Sequence, residues 1–198
     1  LWSHSVQPIE KFIRKKQLLS FINNKPVMLL ESQYHYDTRS YFTSFFGKKI
    51  IKLAADYEFI NEDIDKNFIT KKKAIFTTRS SRNLDFLLSS WEKIIQKSSN
   101  SELYINPPYN VSEKESQMNI KLRVKSDKNK LISELKNSRV MLNPGHKGEV
   151  FCLAAIEAKE LCLPIVTMGY GSLKERVEHG ITGYIANNQS QFIDYSLD

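Results

Sequence analysis

One stretch constrains the fold more than any other. Residues 140–186 read VMLNPGHKGEVFCLAAIEAKELCLPIVTMGYGSLKERVEHGITGYIA: an apolar strand, a glycine-punctuated loop, a helix, a second apolar strand, a second glycine turn and another helix. Strands that alternate with helices in this way pair in parallel, with the helices crossing over on both faces. The expected class is therefore α/β. In such sheets ligands bind beyond the carboxyl ends of the strands, at the loops that lead into helices.

The alternation extends in both directions. Upstream it predicts a strand at 74–77, a helix over 82–97 with Leu84, Leu87, Leu88, Trp91 and Ile95 every three or four residues, and a strand at 103–105. A polar loop over 107–119, a strand at 120–123 and a helix over 127–137 follow. Downstream come a strand at 164–168, a helix over 173–179, a strand at 184–186, and the opening turns of a helix at 189–198 that reads as cut short. The first fifty residues read as a β-α remnant: an amphipathic helix over 8–22, a strand at 26–30, a mixed segment over 34–46 closed by Gly47, and a short strand at 49–53. The expected organisation is a remnant of a preceding domain over 1–53, a linker over 54–72 and a main domain over 73–198.

Composition limits the function classes. With 41% hydrophobic and 26% charged residues in 198, the chain can bury a core and is not disordered. No apolar run approaches the roughly 20 residues of a membrane span, and the start lacks the order of a signal peptide, so a cytoplasmic protein is expected. The net charge of +7 favours anionic partners, whether nucleic acid, anionic lipid or phosphorylated small molecules. The basic runs 14–16, 48–49 and 71–73 read either as a solvated surface or as a face peripheral to the inner membrane. They lack interleaved aromatics, which argues against nucleic acid as a partner. Cys152 and Cys162, near the two ends of one predicted helix, are too far apart for a disulfide and read as buried thiols. The pattern Asp63-Ile64-Asp65 falls in the polar linker and is common by chance, and no two histidines share a ligand spacing; no metal is expected.

Three junctions could carry chemistry. Before the helix at 82, Ser81 reads as an N-cap, while Arg79 and Arg82 add positive charge to a helix end that is already positive. An anion held by backbone amides and arginine forks would resolve that conflict, and arginines turned to solvent or onto nearby carboxylates would also do so. Before the helix near 150, the loop 145–148 permits close backbone approach, with Glu149 at the lip and Glu157 two turns on. These two suit a ligand with a sugar at either end of a diphosphate; equally, Glu149 could complement the helix dipole and Glu157 could simply be exposed. The third junction, Gly169-Tyr170-Gly171, lacks the full dinucleotide fingerprint, and Ser172 with Glu175 reads as a capping box.

With these residues in view, the chain resembles the group 1, or family 4, retaining glycosyltransferases of GT-B fold. The resemblance rests on Glu149-Val-Phe-Cys-Leu-Ala-Ala-Ile-Glu157-Ala158, on Pro164-Ile-Val after it, and on Glu175-Arg-Val with Gly180-Ile-Thr-Gly183. It covers about 73–188 and implies a Rossmann-like doubly wound parallel sheet, the carboxyl-terminal GT-B domain. It implies that Glu149 contacts the donor sugar and Glu157 the ribose, and that Arg82, helped by Arg79, binds the diphosphate. Gly148, Val150, Phe151 and Cys152 would adjoin the donor. Asn83 stands where the family has glycine, and Asn106-Pro107-Pro108 where a glycine-rich strand end is common. His4 would match a histidine lining the acceptor cleft, and His146 is a further candidate. The implied reaction moves a sugar from a nucleotide-sugar with retention and needs no cofactor or metal; the resemblance leaves the acceptor open, a polysaccharide and a lipid-linked glycan being the candidates.

Overall fold

The computed structural model describes residues 9–39, 41–60, 62, 72–107, 109–124 and 127–198. His4, Asp63 and Asp65 therefore lie outside the described residues. Near the amino terminus, β1 (Met28–Leu30) and β2 (Lys48–Ile50) form a small parallel pair. Six further strands follow in sequence: β3 (Lys73–Phe76), β4 (Glu102–Ile105), β5 (Ile120–Leu122), β6 (Val140–Leu142), β7 (Ile165–Thr167) and β8 (Gly183–Ile185). They make one parallel sheet in the order β5-β4-β3-β6-β7-β8. The doubly wound α/β class is thus present, and its direction reverses between β3 and β6.

Side chains alternate across each strand, so the sheet has two apolar faces. On one, Ile75, Met141 and Ile165 meet Ile132 and Leu135 from one helix and Ala155, Ala158 and Leu161 from another. On the other, Ala74, Phe76, Leu103 and Leu142 meet Leu84, Leu87, Trp91 and Ile94. These four repeat at three- and four-residue intervals along one face of a helix. Trp91 is buried with its Nε1 donating to the Met118 carbonyl at 2.9 Å, which satisfies its polar edge.

The helices differ from the sequence expectation in instructive ways. The single helix over 8–22 is two, α1 (Ile9–Arg14) and α2 (Leu18–Asn24), broken where Lys16 adopts a left-handed φ of 55°. The break brings the Phe12 and Phe21 rings together at 4.5 Å, tilted by 51°, beside Phe42 and Phe46. The mixed segment contains α3 (Gln33–Thr38) and a 3₁₀ turn, Tyr41–Phe45. Within the stretch read as a linker lies α4 (Tyr57–Ile60), with Phe59 1% exposed in the main core. The sheet helices are α5 (Leu84–Lys97), α7 (Lys128–Lys136), α8 (Leu153–Glu160) and α9 (Gln189–Tyr195), while α6 (Glu113–Gln117), held by a Ser112–Glu115 capping box, interrupts the polar loop. The helix expected over 173–179 is only a 3₁₀ turn, Gly171–Glu175.

α4 also docks by charge. Lys128 on α7 meets Asp56 at 2.6 Å and Glu58 at 3.3 Å. Removing the buried ring with Phe59→Ala should cost about 3–5 kcal/mol. Thermal denaturation should then show a midpoint lowered by at least roughly 6 °C; a shift below about 2 °C would mean that α4 lies outside the cooperative core.

Candidate active site at the sheet reversal

Because β3 and β6 are neighbours, the loops leaving their carboxyl ends meet. The β3 loop carries Arg79 and Arg82, and the β6 loop carries residues 143–152. Arg82 Nε lies 3.4 Å from Glu149 Oε2, and Arg82 Nη1 lies 3.4 Å from His146 Nδ1. The Gly148 amide donates to the same Nδ1 at 2.9 Å, which makes Nδ1 an acceptor and leaves the ring proton on Nε2. Arg79 is exposed in the same loop, its carbonyl accepting from the Arg82 amide. Arg82, His146, Gly148 and Glu149 therefore form one cluster.

The loops pack backbone against backbone, and two glycines permit it. Gly145 (φ 85°) faces Tyr170 O and Leu173, where a Cβ would come within 2.8 Å. Gly171 (φ 68°) faces the carbonyls of His146 and Glu149, where a Cβ would come within 2.6 Å. Gly148 is wedged between His146 and Arg82. Asn143, buried at the end of β6, accepts from the Gly145 amide at 3.2 Å and reaches Cys152 Sγ at 3.4 Å. An asparagine leaving an apolar strand before Pro-Gly is a turn signal, and it marks this residue in the sequence.

Several local readings need correction. Ser81 is not the cap of α5; Asn83 occupies that position in the left-handed region (φ 67°), where asparagine is tolerated better than most side chains. Helix α8 starts at Leu153 rather than near 150, so Glu149 stands at the lip as expected but four residues before the helix, and Cys152 at φ 47° makes the bend. Glu149 Oε1 accepts from the Cys152 amide at 3.3 Å, tying the carboxylate to the helix entrance. Ser172 and Glu175 do not form a capping box. Glu175 instead accepts from the Gln33 and Tyr34 amides, at the start of α3. Val150, Phe151 and Cys152 are buried, so what they can present to a ligand is main chain. Burial, then the charge of Glu149, pushes the Cys152 thiol up to about 12, which keeps it protonated and inert. Cys162, expected to be buried, is exposed.

Glu157 sits on α8, half-buried. Its pKa is raised, first by burial and then by Asp56, against the opposing charges of Arg123 and Lys128. Arg123 at the end of β5 is itself buried and escaped the sequence reading. Its Nε and Nη2 donate to Glu134 Oε2 at 2.8 and 2.5 Å, and Nη1 donates to Asn106, whose amide donates to the Thr77 carbonyl. This chain of bonds ties the ends of β3, β4 and β5 to α7. Among the described residues no three His, Cys, Asp or Glu side chains cluster to hold a metal, and no helix is long and apolar enough to cross a membrane. A separate cavity of about 290 Å³, lined by Trp91, Arg139, Tyr184 and Tyr195, lies at the opposite, amino end of the strands.

A family model described as glycosyl transferases group 1 matches residues 60–194. The chain belongs to the group 1 glycosyl transferases. Solved glycosyltransferases have the same fold. A TarM mutant from S. aureus, in complex with fondaparinux, α-GlcNAc-glycerol and UDP, aligns over 92% of the chain and 38% of its own length, with TM-score 0.71 and 18% identity. An enzyme from Rickettsia africae aligns over 98% of the chain and 59% of its own, with TM-score 0.70 and 14% identity. HepE from Anabaena, in complex with UDP and glucose, aligns over 98% and 60%, with TM-score 0.69 and 15% identity. The chain thus spans 38–60% of these structures. No curated protein sequence matches it.

The raised pKa of Glu157 has a defined sign. The folded state holds the proton to higher pH than the unfolded chain, so this group adds no stability as pH rises; it costs stability increasingly from its ordinary range up through its raised one. Glu157→Gln should therefore raise the melting temperature at pH 7 by roughly 1–3 °C in nucleotide-free buffer. Melting curves from pH 4 to 8 should show the gain fading toward acid, and a gain that persisted unchanged at pH 4 would contradict burial of the charge.

Proposed function

We propose that residues 73–198 form the nucleotide-sugar-binding domain of a retaining glycosyltransferase, with residues 1–53 belonging to the acceptor side. The observation that carries this reading is the juxtaposition of Arg82 with Glu149 at the sheet reversal, Glu157 standing farther along α8. The diphosphate fits between Arg82 and the amides at the start of α8, with Arg79 supplying further positive charge. Glu149 then accepts from sugar hydroxyls and Glu157 from the ribose. As the bond to the leaving diphosphate breaks, negative charge grows beside the helix-entrance amides and the guanidinium, which exchanges Glu149 for phosphate when the donor binds and then stabilises that charge. On this reading the countercharge comes from the protein rather than from a metal. UDP is the first donor nucleotide to test, because TarM and HepE were both crystallised with it.

The acceptor, a polysaccharide or lipid-linked glycan, approaches from the side of residues 1–53. There α1 and α2 expose Ile13, Leu19 and Ile22 among Arg14, Lys15 and Lys16, a surface suited to peripheral contact with an anionic membrane face.

Calorimetric titration with UDP, GDP and their sugars tests the donor site. Arg82→Ala and Glu157→Ala should each weaken the preferred nucleotide by roughly tenfold or more, the scale of a lost charge-assisted bond. Absence of binding by every nucleotide, or full-strength binding by both variants, would refute the assignment.

A further inference from the structure

The loop that bears Glu149 is held from outside its own domain. Ser32 Oγ, fully buried, donates to the Val150 carbonyl at 2.5 Å, and Tyr34 Oη donates to the Lys147 carbonyl at 2.6 Å. These two peptides flank Glu149 on either side. The Lys147 peptide is also the one whose amide, on Gly148, bonds His146 Nδ1 next to Arg82. The same short segment is anchored from beneath. Glu175 accepts from the Gln33 and Tyr34 amides, and Arg176 Nη2 reaches the Glu31 carbonyl at 3.4 Å. Residues 31–34 thus touch the β6 loop that bears Glu149 and the 3₁₀ turn packed beneath it, through bonds that span more than a hundred residues of sequence.

We propose that Ser32 and Tyr34, seated on Glu175, are positioning residues that set the orientation of Glu149 and of the Arg82–His146 contact from the amino-terminal segment. This rests on the donor-site reading for its ligand, but not for its geometry. A loop carbonyl pinned at both flanks of Glu149 has one orientation in place of several, so a ligand bound there meets a site already arranged. Any movement of residues 31–34 is transmitted directly to the donor loop.

The cleanest variant is Tyr34→Phe, which deletes one hydroxyl and keeps the ring. Ser32→Ala also removes the N-cap bond to the His35 amide, so Ser32→Thr serves as its conservative rescue. Two readouts are needed on the full chain. Hydrogen exchange at the amides of residues 146–152 should quicken several-fold in Tyr34→Phe and Ser32→Ala, and return in Ser32→Thr, while exchange in β3 and β6 stays unchanged. UDP affinity should fall by roughly 3–10-fold in the same variants. When combined with Glu149→Gln, Tyr34→Phe should add little further loss. Unchanged loop exchange would overturn the proposal even if UDP binds well. Fully additive losses in the double variant would overturn the link to Glu149. If the unaltered chain binds neither UDP nor GDP, the donor reading fails and the exchange result alone decides the positioning role.

Discussion

The structure depends on one pairing. β3 hydrogen-bonds to β6 across more than sixty residues of chain, leaving β4 and β5 to extend on the other side. On one edge β3 pairs with its sequence neighbour β4, and Asn106 after β4 bonds the Thr77 carbonyl. Pairing with β6 on the other edge also brings the loop bearing Arg82 against the loop after β6, and a crevice opens where the two halves of the sheet diverge. Everything chemically distinctive about the protein lies along that line: the Arg82–Glu149 pair, the Asn143 turn, and the entrance of α8.

The strength of the Arg82–Glu149 contact suits such a role. Both side chains keep partial contact with water, and the pair is long at 3.4 Å, so it contributes at most about 1 kcal/mol. An arginine fork on a diphosphate forms shorter, charge-assisted bonds. On the donor-site proposal, the guanidinium is held near the diphosphate by an interaction weak enough to be exchanged. Glu157 illustrates the opposite balance. Its carboxylate is carried at some cost in stability, half-buried and near Asp56, as functional carboxylates often are.

Much of the sheet was legible in the sequence. Apolar runs separated by helices at the 3.6-residue period left few alternatives to a parallel, doubly wound sheet, and Arg82, Glu149 and Gly148 do come together in it. What the sequence concealed is non-local or depends on backbone conformation. The left-handed residues Lys16, Asn83 and Cys152 reset helix starts and breaks, because their conformations answer to packing that no local pattern records. Glu175 looked like a cap because Ser172 stands three residues before it; in space its partners are amides more than 140 residues away. Ser32, Tyr34 and Arg123 carried no motif at all, since what singles them out is the loop or strand end each one reaches.

A crystal structure of the chain soaked with UDP would test the central claim most directly. The account predicts the diphosphate between the Arg82 guanidinium and the amino end of α8, with Arg82 turned from Glu149 toward phosphate oxygens and Glu157 within hydrogen-bond distance of the ribose. UDP bound instead in the cavity beside Trp91 and Tyr184, or at the reversal with Arg82 still paired to Glu149 and no phosphate within its reach, would contradict it.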